Sequence, residues 1–140
     1  MKLLVLQQGR LRDPQAVAWR DEYVKRFQRF GSLVVSEVEP KGDTPLWPKS
    51  ARWKVALDER GKVFTSVDLA KQLERWAMAH GEIAFAIGDA ATLHPPTRAT
   101  ADATLALSAF TLPHQLAHVL LIEQLYRAAT ILAGTGYHHA

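Results

Sequence analysis

The residues best suited to chemistry lie in one short segment directly before a long apolar helix. The segment runs from 108 to 118 and contains a serine, a threonine, a proline and two histidines: Ser108, Thr111, Pro113, His114 and His118. Histidines four residues apart on a helix can bind a metal from one face. The zinc-protease pattern needs a glutamate directly after the first histidine, but Gln115 stands there. We therefore expect no metal, and expect the histidines to cap or pack beside the helix entrance.

Other common chemistries find little support. A nucleophilic serine needs a Gly-x-Ser-x-Gly turn, which Ser108 lacks. A dinucleotide site needs a glycine-rich turn after the first strand, but Gly9 stands alone there and no phosphate-binding loop follows. Asp58 and Glu59 are adjacent carboxylates in "DERG", a pattern typical of a solvated turn.

Composition indicates one globular domain, residues 1–140, with 48% apolar and 22% charged residues. The absence of cysteine excludes disulfides and thiolate chemistry and fits a reducing compartment. A net charge of +3 is compatible with a polyanionic partner. The start "MKLLVLQQGR" is too short for a signal peptide, and no run reaches the ~18 apolar residues of a membrane span. We expect a cytoplasmic protein.

Strand and helix patterns alternate along the first half of the chain. "KLLVLQQ" (2–8) predicts a buried strand, and residues 32–39 predict a second. The helix between them should have Asp13 as N-cap, Pro14 in its first turn and Gly31 as its stop. Its predicted apolar stripe comprises Ala16, Trp19, Tyr23, Phe27 and Phe30. The basic residues would lie largely outside this stripe.

The alternation continues after a proline-rich loop at 40–50. Strands are predicted at 52–58, 82–88 and 103–108, and a helix at 66–80 with Ser66 as N-cap and Gly81 as stop. Residues 94–102 read as a turn with at most one helical turn. This order predicts an α/β domain with a mainly parallel sheet flanked by helices. Ligands bind outside the carboxyl ends of such strands, here near Leu57, Gly88 and 107–113.

The last helix, which opens at Pro113, has very little polar surface. Its final 16 residues up to Ala133 carry only two charges. A helix this apolar cannot lie on the outside of a small domain. We expect other elements to cover it on nearly every side.

Several stretches resemble a known family. "ALDERGK", "FAIG", "LSAFTLPHQLA", "EQLYRAATILAG" and terminal "YH", with "GRL" and "EYVKRF" near the start, are similar to the bacterial 23S rRNA pseudouridine N3-methyltransferases, the RlmH family of the SPOUT superfamily. The match covers nearly the whole chain in the same order. The resemblance implies a C-terminal deep trefoil knot, a homodimer, S-adenosylmethionine as methyl donor and 23S rRNA in the large subunit or assembled ribosome as partner.

The resemblance also implies site residues. Cofactor contacts fall on the three predicted strand ends: Leu57, Gly88, Leu107, Ser108, Ala109, Phe110, Thr111 and Leu112. Candidates for handling the proton at N3 are Tyr137 and His138, from a tail that in the family lies near the partner subunit's cofactor, with His114 second.

RNA contact would fall to the basic first helix and its approach, since such a surface binds phosphates without reading sequence. Its predicted members are Arg10, Arg12, Arg20, Lys25, Arg26 and Arg29. A solvated helix surface explains each of these residues equally well.

Three departures from the family pattern lie at the predicted site. "IGDAAT" places Asp89 and Thr92 where the family has glycines, His118 replaces an arginine, and the ending "TGYHH" lacks the family's final arginine. They motivate an alternative function, a catalytically impaired RNA- or ribosome-binding protein on the same scaffold.

Overall fold

The sheet has five strands in the order β2-β1-β4-β3-β5, and every neighbouring pair is parallel. The computed structural model describes residues 1–90 and 92–139. The strands are β1 (Lys2–Gln8), β2 (Ser32–Val38), β3 (Trp53–Val63), β4 (Ile83–Ile87) and β5 (Ala103–Ala106). The helices are α1 (Pro14–Phe27), α2 (Ser66–His80), α3 (Pro95–Ala99) and α4 (His114–Ala133). The predicted mainly parallel sheet with flanking helices is confirmed.

The two faces of the sheet are covered differently. On one face, alternate strand residues such as Leu3, Val5 and Phe85 join the buried side chains of α1, α2 and α4 in the main core. On the other face, Leu6 and Ala86 belong to a smaller cluster that the 40–50 loop and the segment around α3 cover. Alternation along β1 therefore sends Gln7 toward the helices and Gln8 toward the opposite loops.

The helix ends differ from the predictions in two details. Asp13 caps α1 as predicted, its carboxylate accepting from the Gln15 backbone N–H at 2.8 Å, but the helix ends at Phe27, before Gly31. The N-cap of α2 is Thr65, whose hydroxyl accepts from the Asp68 backbone N–H at 3.0 Å. The predicted cap, Ser66, is the first helical residue, and its hydroxyl donates to Gln124.

The predicted apolar stripe of α1 is wrong at Trp19, and the predicted exposure of Arg20 is also wrong. Trp19 is 54% exposed, whereas Arg20 is only 8% exposed. The Arg20 guanidinium donates to the buried Gln7 side chain through Nη1 at 2.7 Å. A buried polar side chain requires such a partner, so Gln7 draws the arginine inward where hydrophobic periodicity alone would place an apolar residue.

Strand β3 is longer than predicted. It was expected to end at Asp58, but it pairs with β5 on both sides of a four-residue irregularity, since Leu57 and Lys62 both lie opposite Leu105. Residues 58–61 form this excursion. Gly61 suits this position, because a Cβ would lie 3.0 Å from both the Asp58 carbonyl oxygen and the Leu105 amide nitrogen, a tight contact with two backbone atoms.

Helix α4 packs against both α1 and α2 and contributes Leu121, Ile122 and Leu125 to the main core. The expectation that other elements cover α4 is met at Leu121, Ile122 and Leu125, whereas Leu116 near the start of the helix is exposed. By length and composition alone, α4 could also cross a membrane, contrary to the expectation that no segment qualifies. Half of its most apolar window is already buried within the fold.

Candidate functional site

A cleft of about 610 Å³ lies at the carboxyl ends of β4 and β5, beside the 58–61 excursion of β3. Its size is within the usual range for small-molecule sites. The structure brings together there all of the predicted cofactor-contact residues except Ala109, which does not line the cleft: Leu57, Gly88, Leu107, Ser108, Phe110, Thr111 and Leu112. His114, the first residue of α4, also lines it.

Apolar side chains and bare backbone form the inner part of the cleft. Four apolar residues line it from the ends of β4 and β5 and from the residue before the β3 excursion: Leu57, Ile87, Leu105 and Leu107. Gly88 follows β4, and a Cβ there would lie 2.5 Å from the Leu93 backbone nitrogen. Only glycine therefore allows the backbone of residues 92 and 93 to lie this close to residue 88. Backbone groups and leucine side chains are left to contact a flat, partly apolar ligand.

His118 holds Gly88, the residue that follows β4, through a hydrogen bond. Its Nε2 lies 2.9 Å from the Gly88 carbonyl oxygen, which requires the proton on Nε2. Burial lowers the pKa of His118 to about 4, although the Gly88 hydrogen bond and Asp89 act in the opposite direction. The ring is therefore neutral at pH 7 and holds Gly88 as a hydrogen-bond donor.

This lowered pKa predicts acid sensitivity. Between about pH 6.5 and pH 4 the unfolded chain protonates His118 and the folded chain does not, so the free energy of unfolding should fall with pH by up to about 3 kcal/mol. His118→Gln keeps an amide donor but does not titrate. Urea unfolding at about pH 7 and about pH 4.5 should show the smaller pH dependence in the variant, and equal dependence would contradict the assignment.

Gln8 holds the far end of the same segment. Its side-chain Nε2 donates to the Thr92 carbonyl at 2.9 Å, and its Oε1 accepts from the His94 backbone N–H at 2.8 Å. The buried His94 ring continues the network to Thr97 Oγ1 at 2.9 Å and to the Gly42 carbonyl at 2.8 Å. Gly88 and residues 92–94 are thus held by side chains that do not line the cleft.

The mouth of the cleft carries charged and aromatic residues. Asp58 lies between two guanidiniums, 3.9 Å from Arg60 Nε and 4.0 Å from Arg98 Nη1. Phe110 also lines the mouth with 81% of its surface exposed. The Phe110 backbone N–H donates to Ser108 Oγ at 2.9 Å. This hydrogen bond stabilises the backbone bend from which the ring points outward.

The predicted tail residues do not lie in this cleft. Tyr137 donates to Glu123 Oε1 at 2.9 Å, and His138 Nδ1 accepts from Arg127 at 3.0 Å. Glu123 lies roughly 14 Å along α4 from His114 at the cleft. Burial raises the pKa of the Tyr137 phenol, with hydrogen bonds to Tyr23 and Glu123 adding to the shift, so the phenol is placed as a donor and not as a base.

Most of the predicted RNA-contact residues also lie away from the cleft. Because α1 begins at the carboxyl edge of the sheet and runs back, Lys25 lies roughly 16 Å along it from Pro14. Arg26 and Arg29 share this opposite end, where Arg26 pairs with Glu22 at 3.2 Å. The other three basic residues have different surroundings. Arg20 is buried, and Arg10 forms an ion pair with Glu37 at 3.2 Å. Arg12 lies beside α4, where its backbone N–H donates to the Gln115 side chain.

Sequence reasoning missed several residues of the site. Gln8 and His94 contact each other across 86 residues of chain, and nothing local predicts such a pairing. Arg60 and Arg98 likewise meet only through the fold. The two consecutive glutamines that end a buried strand were the one available signal. Among residues 1–90 and 92–139, no three His, Asp or Glu side chains are grouped so as to hold a metal ion.

Comparison with known proteins gives a consistent result. Residues 1–138 match the family model described as "Predicted SPOUT methyltransferase". The chain is 42% identical to the ribosomal RNA large subunit methyltransferase H of Polynucleobacter asymbioticus, over 99% of each chain, and 38% identical to the protein of that name from Nitrosospira multiformis, over all of each chain.

Solved structures show the same fold at low identity. A probable methylase family protein from Haemophilus influenzae superposes with a TM-score of 0.61 at 10% identity, covering 99% of this chain and 70% of that one. TrmJ from Z. mobilis gives 0.54 at 15% identity, covering 90% and 68%.

Proposed function

The chain belongs to the SPOUT methyltransferase family, and from this premise we propose that it methylates the ribosomal RNA of the large subunit with S-adenosylmethionine as donor. The acceptor we propose is N3 of a pseudouridine in 23S rRNA, in the free subunit or the assembled ribosome. The observation that carries the proposal is the convergence of the ends of β4 and β5 and the β3 excursion on one cleft, together with full-length relatives named ribosomal RNA large subunit methyltransferase H.

The inner cleft fits the adenosine part of S-adenosylmethionine. The backbone of Thr92 and Leu93 lies where a Cβ at Gly88 would be, so the missing side chain lets this part of the main chain form a wall of the cleft. Leu57 and Leu107 would pack on the faces of the adenine, and the backbone of 107–112 would bond its edge. The donor supplies an electrophilic methyl group. The protein's task is to hold donor and acceptor in line, an effect worth roughly 7 to 11 kcal/mol in ideal cases.

The proton on N3 requires an acceptor near the methyl group. His114 is the candidate within the same chain, because it lines the cleft and an imidazole can take a proton at neutral pH. Tyr137 and His138 would act on the cleft of a partner subunit, the Tyr137 phenol as a hydrogen-bond donor and the His138 ring as a proton acceptor. Their distance from the cleft of their own chain supports that arrangement.

We therefore include a homodimer and a C-terminal trefoil knot in the proposal. Trp19 on α1 and Leu116 on α4 are large apolar side chains left exposed on two helices that pack together, and a second copy could cover them. In such a knot the chain after β5 would pass through the loop that precedes it. That path would account for α4, which begins at the cleft with His114 and is buried further along. The relatives' activity on ribosomes fits a cytoplasmic location.

Exposed cations would provide further RNA contacts. Arg10, Arg12, Lys25, Arg26 and Arg29 can attract phosphates of a substrate much larger than this domain. Arg20 is excluded from this set by its burial. The non-catalytic alternative is not favoured, because Asp89 lines the cleft without closing it and Gly88 is retained.

The test is methyl transfer from radiolabelled S-adenosylmethionine to large subunits and ribosomes of a strain that lacks the modification. Label in 23S rRNA, located at one pseudouridine by mass spectrometry, is the expected result. Absence of label with folded protein and normal donor binding would exclude the proposed activity, and ribosome binding without donor binding would support the non-catalytic alternative.

A further inference from the structure

Phe110 is exposed in a way that its own chain does not explain. It is 81% exposed, more than any other large apolar side chain in residues 1–90 and 92–139 except Met78. The bond from its N–H to Ser108 Oγ fixes the turn, so the outward ring is a property of an ordered loop. An aromatic ring held in water beside a binding cleft is suited to contact a ligand that arrives from outside.

Two arginines share the cleft mouth with this ring. Arg60 comes from the β3 excursion and Arg98 from α3, with side-chain exposures of 80% and 36%. Their contacts with Asp58, at 3.9 and 4.0 Å, are longer than the 2.7–2.9 Å of charge-assisted hydrogen bonds. Asp58 with its two guanidiniums carries a net charge of about +1, while Glu59 and Asp89 also line the cleft. Most of the guanidinium donors of Arg60 and Arg98 remain available to a phosphate.

We propose that this mouth is the site that binds an unpaired RNA segment around the target nucleotide: Phe110 stacks on a base, and Arg60 and Arg98 bind the backbone phosphates. The proposal rests on the proposed function, because the RNA must reach the cleft that holds the methyl donor. Single-stranded RNA is recognised by this combination of aromatic stacking and basic side chains. The exposed position separates Phe110 from the inner leucines, which suit the cofactor.

The first experiment compares Phe110→Ala with Phe110→Trp, in the full chain, for binding to unmethylated large ribosomal subunits. Loss of one stacked base should weaken binding by roughly 5- to 150-fold in the alanine variant. The tryptophan variant should bind as the wild type does. Affinity for S-adenosylhomocysteine, measured by calorimetry, should be unchanged in both, because the 107–112 segment would contact the cofactor through its backbone and the exposed Phe110 ring would not.

The second experiment measures the salt dependence of the same binding. Arg98→Ala should reduce the slope of log affinity against log salt by about 1, and so should Arg60→Ala, because each removes one phosphate contact. Phe110→Ala should leave the slope unchanged. Arg75→Ala is the matched control, since Arg75 is an exposed arginine on α2 outside the cleft lining, and it should change neither affinity nor slope.

Three results would overturn the inference. Parallel loss of S-adenosylhomocysteine affinity in Phe110→Ala would assign the ring to the cofactor, and conversion of a dimer to a monomer would assign it to a subunit interface. Unchanged subunit binding would show that the ring does not touch RNA. Failure of the proposed function would look different. If the wild-type protein bound subunits through Phe110 but transferred no methyl group, the RNA site would be supported and the methyltransferase activity would be excluded.

Discussion

Gly88→Ala should weaken the binding of S-adenosylmethionine by about 100-fold, as expected for overpacking that costs up to about 3 kcal/mol. The new Cβ would lie 2.5 Å from the Leu93 nitrogen and 2.7 Å from the Thr92 carbonyl carbon. Both are backbone atoms, so no side-chain rotation relieves the contact. The segment cannot yield easily, because Gln8 and His118 hold it at opposite ends.

Calorimetric titration with S-adenosylmethionine measures this effect directly. Gly136→Ala is a suitable control, because its Cβ would meet nothing within 4 Å and its backbone is not in the left-handed region. The control should bind the donor as the wild type does. If Gly88→Ala also retained wild-type affinity while remaining folded, the close backbone approach at Gly88 would not be part of the donor site.

A heterodimer that pairs a Gly88→Ala chain with a Tyr137→Phe, His138→Ala chain should recover about half of the wild-type activity per dimer. In a symmetric dimer whose tails act on the partner's cleft, one of the two sites then has both an intact donor loop and an intact tail. The Tyr137→Phe, His138→Ala homodimer should lose about 10²- to 10⁴-fold in activity, as for loss of groups that handle the proton. The Gly88→Ala homodimer should be nearly inactive at donor concentrations well below its weakened dissociation constant.

Co-expression with two different affinity tags allows the heterodimer to be isolated before its methyl transfer to ribosomes is measured. The informative control joins all three changes in one chain and pairs it with the wild type. If tails act on the partner's cleft, this heterodimer has no complete site and should be inactive. Activity in the control and none in the first heterodimer would place each tail at its own cleft.

The fold was predictable because local signals and burial agree along most of the chain. The buried run of β1 and the Asp13–Pro14 helix start lie where the pattern places them. The errors occur where a distant partner overrides the local signal. Arg20 is buried because Gln7 on the neighbouring strand needs a partner, and β3 continues past Asp58 because β5 pairs with it on both sides of the excursion.

The candidate site was predictable in outline and not in its supports. Strand ends and the resemblance together indicated Leu57, Gly88 and the 107–112 loop, which the fold brings into one cleft. Hydrophobic periodicity contains no information about Gln8, whose side chain forms hydrogen bonds with the backbone of both Thr92 and His94. Nor does it tell which cations meet at the mouth, since that depends on where β3 and α3 come to lie.

A crystal structure with S-adenosylhomocysteine bound tests the central claim most directly, because it locates the ligand and traces the chain around it. The adenine should lie between Leu57 and Leu107 against the Gly88 backbone, with the segment after β5 passing through the loop that precedes it. An adenine bound elsewhere, or an unthreaded chain around an empty cleft, would contradict the account.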